Sequence, residues 1–241
     1  LSTPENRTDL DLLLELNIQA IKIGSDDLIN IPLIKEFSST GLPIIMSCGM
    51  STLNEIKESL QVFDSKKEYP IVLMLATSEY PTQAENVNLL KLKTLSNTFS
   101  NIILGFSDHT QNSLASSIAV GLGARVFEKH FTLSHDLPGP DHWFSADSIE
   151  LKNWVKTIKQ AHQMLGSKTV EPTKKENVVK LQARRSVIAK KNILLGEIFS
   201  EKNLGLLRPG NGLPPKMIQD ILGKNAKKEI FEGKLIDCDD F

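Results

Sequence analysis

Short runs of consecutive apolar residues alternate with amphipathic stretches along the first two thirds of this chain. The runs lie at residues 20–24, 43–46, 71–76, 102–106 and 125–128, and each is typical of a strand buried on both faces. Between them, apolar residues recur every three or four positions, which is typical of helices that pack one face against a sheet. A spacing of roughly 20–30 residues fits βα units, so the pattern predicts a parallel sheet covered by helices.

Helix start and stop signals support this alternation. Thr52 and Glu55 form a capping-box pattern before one periodic segment, and Asn112 precedes another. A further helix is predicted over residues 148–165. Three glycines stand where helices are expected to end: Gly41, Gly123 and Gly166.

Polar side chains stand at the carboxyl end of every predicted strand. They are Lys22 and Ser25, then Ser47, then Thr77 and Tyr80, then Ser107 and His109, and finally Glu128 and His130. Enzymes built as β/α barrels carry their active sites at this end of the strands. A (β/α)8 TIM barrel is therefore favoured over an open doubly wound sheet.

Two domains are predicted. Residues 1–166 carry the barrel pattern, residues 167–182 form a polar, lysine-rich linker without periodicity, and residues 183–241 carry a small mixed β pattern. In the last domain we expect strands at residues 186–189 and 204–207, a short helix near 215–222 and a final apolar strand. A domain of about sixty residues is near the lower limit of independent stability, so it is expected to lean on the barrel or on a partner.

Composition and charge exclude several function classes. Lys and Arg total 28 against 29 for Asp and Glu, and no basic block is long enough to follow a nucleic-acid backbone. The apolar runs are far shorter than the ~20 residues of a membrane helix. Cys48 lies in a strand pattern and Cys238 in a polar tail, so no structural disulfide is expected. The sequence predicts a soluble, cytoplasmic protein whose partners include neither nucleic acid nor membrane.

His109 and His130 are the strongest candidates for chemistry. They end two consecutive predicted strands, so both imidazoles are expected in one cup at the mouth of the barrel. Either histidine alone is more simply explained as a satisfied core or loop residue. As a pair, with carboxylates but no cysteine nearby, they indicate an open site for Mn²⁺ or a similar divalent ion. Asp108 and Glu128 are candidates to orient the imidazoles, although packing or surface charges explain them equally well.

An anion site is the second candidate. Lys22 stands in the middle of a strand pattern, and a lysine that points into a barrel needs an anion such as phosphate or carboxylate. A lysine that faces solvent or pairs with an acid is an equally good account. Three serines follow strands and offer hydroxyl donors to the same anion, unless they serve only as turn residues: Ser25, Ser47 and Ser107.

Two stiff loops carry further candidates. A Pro-Gly-Pro-Asp-His loop holds Asp141 over the predicted barrel mouth, and an Arg-Pro-Gly-Asn-Gly loop presents Arg208, a side chain suited to carboxylate, phosphate or amide oxygens. An ordinary surface turn accounts for either loop taken alone.

Six motifs occur in order along the chain: Leu-Ser-Thr-Pro at residues 1–4, Lys-Ile-Gly-Ser at 22–25, Ile-Met-Ser-Cys-Gly-Met at 45–50, Ser-Asp-His at 107–109, Glu-Lys-His at 128–130 and Gly-Pro-Asp at 139–141. Together they resemble the N-acetylneuraminate (sialic acid) synthase family. The segment after residue 183, with its Arg-Pro-Gly-Asn-Gly loop, is similar to the antifreeze-protein-like (SAF) domain of that family. The resemblance runs over nearly the whole chain.

The resemblance implies a metal-dependent condensation on a barrel. Carbon 3 of phosphoenolpyruvate attacks the aldehyde of an open-chain N-acetylmannosamine-type sugar, water adds, and phosphate leaves. By this resemblance His109 and His130 bind Mn²⁺, with Mg²⁺ or Co²⁺ as alternatives, and the metal acts as a Lewis acid. The phosphoenolpyruvate pocket is implied to contain Thr3, Lys22, Ser25, Ser47 and Ser107.

The same resemblance implies a sugar side and a dimer. Tyr80 and Asp141 match sugar-side positions, and Arg208 matches an arginine that reaches the sugar's N-acyl group from the partner subunit of a domain-swapped homodimer. Two positions depart from the family pattern. Asp27 stands where members commonly carry a glutamate that contacts sugar hydroxyls, and Ser78 stands where many carry an asparagine. Relatives that make legionaminic or pseudaminic acid share most of these motifs, so the acceptor sugar stays open.

Two competing hypotheses remain. A different phosphoenolpyruvate-condensing barrel is the enzyme alternative, and the antifreeze-like segment argues against it. A non-catalytic sugar-binding or ice-binding protein is the other, and it leaves the His109 and His130 pair unexplained. The first residues match the end of the family's third strand, so we expect the chain to lack the first two βα units of the barrel and, by itself, to have no synthase activity.

Overall fold

The computed structural model describes residues 1–63 and 70–241 and divides into two units, Leu1–Gly166 and Ser167–Phe241. The first unit alternates helices and strands. Its helices are α1 (Arg7–Glu15), α2 (Ile31–Ser39), α3 (Leu53–Gln61), α4 (Lys91–Thr98), α5 (Leu114–Gly121) and α6 (Ser148–Leu165). Its strands are β1 (Ile21–Ile23), β2 (Ile44–Ser47), β3 (Ile71–Ala76), β4 (Ile103–Asp108) and β5 (Val126–Lys129).

These strands form one parallel sheet in the order β1-β2-β3-β4-β5. Each strand pairs with the next one along the chain, as in a curled barrel-type sheet, whereas a doubly wound sheet reverses its order at a switch point. The preference for a barrel-type sheet is confirmed. Ser2 continues the sheet beyond β1 through a parallel bridge to Ile21. Closure into eight strands, and the lack of two units, stay predictions.

Burial explains why the strands were readable from the sequence. The predicted strands agree with the observed ones to within two residues at each end. Ile21, Met46 and Leu73 are fully buried in the core that the sheet and the helices form together. The helices contribute one apolar face each to the same core, which includes Leu10, Ile34, Phe37, Ile56, Leu92, Leu95 and Ala119.

Helix ends follow the predicted chemistry. Thr52 and Glu55 form a reciprocal capping box at the start of α3, as predicted. The N-cap of α5 is Ser113 rather than Asn112, whose side-chain oxygen instead accepts from the backbone N–H of Leu114 at 2.9 Å. The three predicted stop glycines follow α2, α5 and α6 with positive φ angles: Gly41 at 70°, Gly123 at 103° and Gly166 at 54°.

The second unit is built around a small antiparallel pair. It contains α7 (Lys174–Ala183), β6 (Ser186–Ala189), β7 (Leu204–Leu207) and the short α8 (Ile218–Ile221), with β6 and β7 paired. Both predicted strands are confirmed. The predicted final strand forms isolated bridges instead, such as that between Ile188 and Leu235. The core of this unit is apolar and includes Val187, Ile193, Phe199, Leu204, Ile221, Ile230 and Ile236.

Helix α7 corrects the prediction of a structureless linker at residues 167–182. A capping box between Thr173 and Glu176 starts the helix, but none of its side chains is buried, so the apolar periodicity that would have revealed it is missing. Among the residues that the structure describes, no helix has the length and apolar character needed to cross a membrane.

Candidate functional site

An open pocket of about 460 Å³ lies where the five parallel strands reach their carboxyl ends. Most of the residues that the sequence marked at strand ends line it, together with three that were not selected, Gly24, Asp26 and Met50. The lining residues are Lys22, Gly24, Ser25, Asp26, Ser47, Met50, Ser78, Tyr80, Ser107, His109, Glu128 and His130.

His109 and His130 meet on one side of this pocket. Their ring centroids are 5.2 Å apart and nearly perpendicular, and Tyr80 lies against both rings, at 4.4 Å and 5.4 Å. Nδ1 of His109 is 2.7 Å from the carbonyl oxygen of Thr77. Because a carbonyl can only accept, Nδ1 carries the proton, and Nε2 keeps its lone pair for a ligand. Nδ1 of His130 lies 3.7 Å from a carboxylate oxygen of Asp141.

Burial favours the ligand form of His109. Desolvation lowers the pKa of this imidazole below its ordinary value of 6.5, although its bond to the Thr77 carbonyl opposes that shift. The neighbouring His130 adds to the lowering. A neutral imidazole is the form that binds a metal ion, so His109 is held ready at neutral pH.

Lys22 lies on the other side of the pocket, and its ammonium group is buried. It donates to Ser47 Oγ at 2.9 Å and to the carbonyl of Ile23 at 3.0 Å, and it lies 3.6 Å from a carboxylate oxygen of Glu128. Desolvation lowers its pKa, and the Glu128 charge works against that change. The solvent-facing alternative for Lys22 is excluded, since only 8% of the residue is exposed.

Glu128 connects the two sides. Ser107 Oγ donates to Glu128 Oε2 at 2.6 Å and lies 3.3 Å from Nε2 of His109, while the other carboxylate oxygen faces Lys22. The sequence suggested that Glu128 and Asp108 orient the imidazoles. Instead the Glu128 carboxylate reaches Ser107 and Lys22, and Asp108 is buried on the opposite face of the sheet.

A glycine lets two serines approach each other beside Lys22. Ser25 Oγ accepts from the backbone N–H of Gly49 at 3.0 Å. A Cβ at Gly49 would lie 2.6 Å from Ser78 Oγ and 2.8 Å from Ser25 Oγ, which no side chain tolerates without displacing a hydroxyl. The backbone of Gly49 therefore holds Ser25, and the lack of a side chain there leaves room for the Ser78 hydroxyl.

Of the two neighbouring aspartates, Asp26 lines the pocket and Asp27 does not. The side chain of Asp27 instead accepts from the amide of Asn30 at 2.9 Å, and Asn30 is the N-cap of α2. Sequence matching alone could not tell these neighbours apart. The spacing of three residues between Asp27 and Asn30 was the signal in the sequence that could have indicated a bond between their side chains at the turn before α2.

Besides Asp27, three further predicted site residues lie outside the pocket lining. Thr3 is exposed and follows Ser2, whose carbonyl accepts from the backbone N–H of Lys22 at 2.9 Å. Asp141 is exposed and reaches the site only through His130. Arg208 belongs to the second unit, where its exposed side chain stands on a loop anchored by Ser186, whose hydroxyl donates to the carbonyl of Pro209 at 2.7 Å.

One other group of ligand-type side chains exists within the described part of the chain. Atoms of His135, Asp147 and Glu150 lie within 4.8 Å of one another. Both carboxylates are already engaged, because they form the capping box that starts α6. The pocket with His109 and His130 is therefore the stronger metal candidate.

Known proteins resemble this chain over both units. The NeuB family model matches residues 1–170, and the SAF domain model matches residues 184–241. The chain is 40% identical to the N,N'-diacetyllegionaminic acid synthase of Campylobacter jejuni, covering 98% of this chain and 71% of the relative. It is 36% identical to a pseudaminic acid synthase of the same species, covering 100% and 69%.

A crystal structure agrees with these sequence matches. The N-acetylneuraminic acid synthetase of Leptospira borgpetersenii, solved with citrate, superposes with a TM-score of 0.68 at 32% identity, over 73% of this chain and 61% of that one. The chain thus spans roughly two thirds of the length of these proteins. On the match of the family model and on these identities, the chain belongs to the NeuB family and carries a SAF domain at its C-terminal side.

Proposed function

We propose that the pocket condenses phosphoenolpyruvate with N-acetylmannosamine or a related N-acylated amino sugar, giving a nonulosonic acid and phosphate. One observation carries this proposal: a pair of histidines and a buried lysine with three serines line the same pocket of a NeuB-family chain. The three relatives compared above are synthases of three different acids of this type. They support the reaction class and leave the acceptor sugar open.

The two histidines are proposed to hold a divalent ion, Mn²⁺ before Mg²⁺ or Co²⁺. The donor set fits such an ion, because Nε2 of His109 is free of its proton and carboxylates of Glu128 and Asp141 lie nearby. Two protein nitrogens leave further positions for water and substrate. When bound, the ion supplies Lewis-acid activation of the aldehyde.

Lys22 is proposed to bind the anionic groups of phosphoenolpyruvate. Its ammonium is directed into the pocket by bonds to Ser47 and to the Ile23 carbonyl. Hydroxyls of Ser25 and Ser47 supply uncharged donors in the same pocket, and Ser107 is proposed to join them by exchanging its bond to Glu128 for one to the incoming anion. Glu128 is the only carboxylate within 4.0 Å of this ammonium among the described residues, and an incoming phosphate or carboxylate would compete with it. Thr3, which is exposed and follows the strand edge at Ser2, is proposed to add a further donor.

The reaction balances as follows. The π electrons between carbons 2 and 3 of phosphoenolpyruvate form the bond from carbon 3 to the aldehyde carbon, the carbonyl π bond opens, and its oxygen takes a proton. Carbon 2, now electron-poor, is attacked by water, which loses one proton. The bond from carbon 2 to the phosphate oxygen then breaks as the new hydroxyl loses its proton, so carbon 2 becomes a ketone and phosphate leaves. Tyr80 is suited to donate a hydrogen bond on the sugar side, since burial and the nearby carboxylates of Asp141, Asp26 and Glu128 raise its pKa and keep its hydroxyl protonated.

The remaining polar residues are proposed to contact the sugar. Ser78, Tyr80 and Asp26 line the pocket, and Asp141 stands beside His130. Asp27 was expected in this role, but its bond to Asn30 favours Asp26. In a domain-swapped homodimer, Arg208 is proposed to enter the pocket of the partner subunit and to contact the N-acyl group of the sugar bound there.

Sugar-dependent release of phosphate tests the proposed reaction. The protein is mixed with phosphoenolpyruvate, Mn²⁺ and one N-acylated amino sugar at a time, and phosphate is measured against the same mixture without sugar. We expect release only with a sugar present. Equal release with and without every sugar tried would contradict the proposal.

Complementation tests the role of Arg208. Chains carrying Arg208→Ala are mixed with chains carrying His109→Ala and allowed to exchange subunits. If Arg208 acts on the partner, heterodimers contain one intact site, and some activity returns. Arg185→Ala, another arginine of the second unit, should remain active in the homodimer as the matched control. No recovery in the mixed sample would mean that Arg208 acts within its own chain or has no role.

A further inference from the structure

A buried ion pair lies directly behind the two pocket histidines. Asp108 and Lys129 are register partners at the ends of β4 and β5, and each precedes one of the histidines. Side chains alternate between the two faces of a strand. Ser107 and Glu128 face the pocket, so Asp108 and Lys129 face the helices, and the chain returns to the pocket at His109 and His130.

The carboxylate of Asp108 is completely buried and surrounded by donors. One oxygen accepts from the backbone N–H and the hydroxyl of Thr110 at 2.9 Å and 2.7 Å. The other accepts from Ser116 Oγ at 2.5 Å and from the indole N–H of Trp154 at 3.1 Å. Thr110 follows His109, so this carboxylate fixes the backbone on both sides of that histidine and ties it to α5 and α6.

Lys129, on the neighbouring strand, bonds to the same stretch of backbone. Its ammonium donates to the carbonyl of Asp108 at 3.4 Å and to the carbonyl of Thr110, the two residues that flank His109. It also lies 4.0 Å from the Asp108 carboxylate and 5.9 Å from the centroid of the Trp154 ring. The residue immediately before His130 therefore holds the chain on both sides of His109.

Packing alone does not explain why two charged side chains are buried on this face of the sheet. Phe106 and Leu104 occupy the same face of β4 two and four residues before Asp108, and both are apolar members of the core. Burying an ion pair commonly stabilises a fold no more than apolar residues of similar size would. A bonded pair, unlike two apolar side chains, has directional contacts that fix the backbone on each strand.

We propose that Asp108 and Lys129 are positioning residues that set the relative placement of the His109 and His130 imidazoles. The expected effect of this pair on metal binding rests on the proposed function, whereas its role in placing the two imidazoles does not. Loss of residues that orient metal ligands commonly weakens metal binding by about 10–100-fold. We expect a loss of this size when Lys129 is replaced.

The test compares Lys129→Met, which removes the charge and the donors, with Lys129→Arg, which keeps both. The control is Leu92→Ala, a core truncation in α4 that destabilises the fold without touching the ion pair. Two readouts are taken on each folded protein: Mn²⁺ affinity by calorimetry, and the ring Nδ1–H signal of His109 by ¹⁵N NMR without metal, which reports its bond to Thr77.

We expect Lys129→Met to weaken Mn²⁺ binding at least about tenfold and to shift or broaden the His109 ring signal, with partial rescue in Lys129→Arg and neither effect in Leu92→Ala. An unchanged ring signal in Lys129→Met overturns the inference. If the wild type binds no Mn²⁺ but the ring signal changes, the positioning role stands and the proposed metal site fails. If Lys129→Met does not fold, Trp154→Phe, which keeps an aromatic ring but removes the indole donor to Asp108 and Ser116, is read by the same two criteria.

Discussion

Replacing His109 or His130 with alanine is expected to abolish Mn²⁺ binding while the fold remains intact. The two imidazoles are the only nitrogen ligands in the described part of the pocket, and their rings stand 5.2 Å apart, so one ring alone leaves an incomplete site. Calorimetric titration with Mn²⁺ measures binding, and circular dichroism monitors the fold. Activity, where the wild type shows it, should be lost in both variants.

A third histidine provides the matched control. His162 lies exposed on α6, where its ring contacts Arg125 rather than the pocket. His162→Ala should bind Mn²⁺ as the wild type does. Stoichiometric Mn²⁺ binding that survives in His109→Ala or in His130→Ala would remove that residue from the metal site. If replacing His135 abolishes Mn²⁺ binding and replacing His109 or His130 does not, the ion is held instead by His135, Asp147 and Glu150.

Replacing Lys22 with methionine is expected to weaken phosphoenolpyruvate binding by about 10- to 150-fold, since hydrogen bonds to charged groups contribute roughly 1.5–3 kcal/mol. The free energy of unfolding of Lys22→Met should rise or stay unchanged. Methionine keeps most of the volume of the side chain, and it removes a buried ammonium whose lowered pKa shows the cost of its burial. The former partner Glu128 is left able to contact water, because 42% of its side chain is exposed.

Weaker phosphoenolpyruvate binding without loss of stability would distinguish a lysine that serves the pocket from one that serves the fold. Binding is measured by calorimetry with phosphoenolpyruvate, and stability by urea unfolding. Lys159→Met, on the outer helix α6, should change neither quantity by more than a few tenths of a kcal/mol. A Lys22→Met protein that is clearly destabilised and still binds phosphoenolpyruvate normally would show that Lys22 serves the fold and not the pocket.

The strands and the location of the pocket could be predicted because they depend on local patterns. A strand buried on both faces must be apolar along its length, and polar residues at its carboxyl end are then conspicuous, as Ser47 and His109 are. In a parallel sheet of sequential order these ends meet, so residues 25 to 87 positions apart in the sequence gather in one pocket, as Lys22 does with Ser47 and with His109.

Contacts between side chains could not be predicted in the same way. Which of Asp26 and Asp27 enters the pocket depends on the turn geometry before α2, and motif spacing cannot resolve a shift of one residue. Glu128 and Asp108 were both candidates to orient the imidazoles, with packing or surface charges as the alternative, yet strand alternation sends their side chains to opposite faces of the sheet. Helix α7 was missed because an exposed helix needs no apolar face.

The most direct measurement of the central claim is ¹³C NMR of the reaction with phosphoenolpyruvate labelled at carbon 3. With Mn²⁺ and an accepted N-acylated amino sugar, we predict that the vinyl carbon signal is replaced by a methylene signal coupled to a neighbouring carbinol proton, because a new carbon–carbon bond forms at carbon 3. Lys22→Met and His109→Ala should produce little or none of it. A labelled methyl group of pyruvate, with no methylene product for any sugar tried, would show hydrolysis without condensation and would contradict the account.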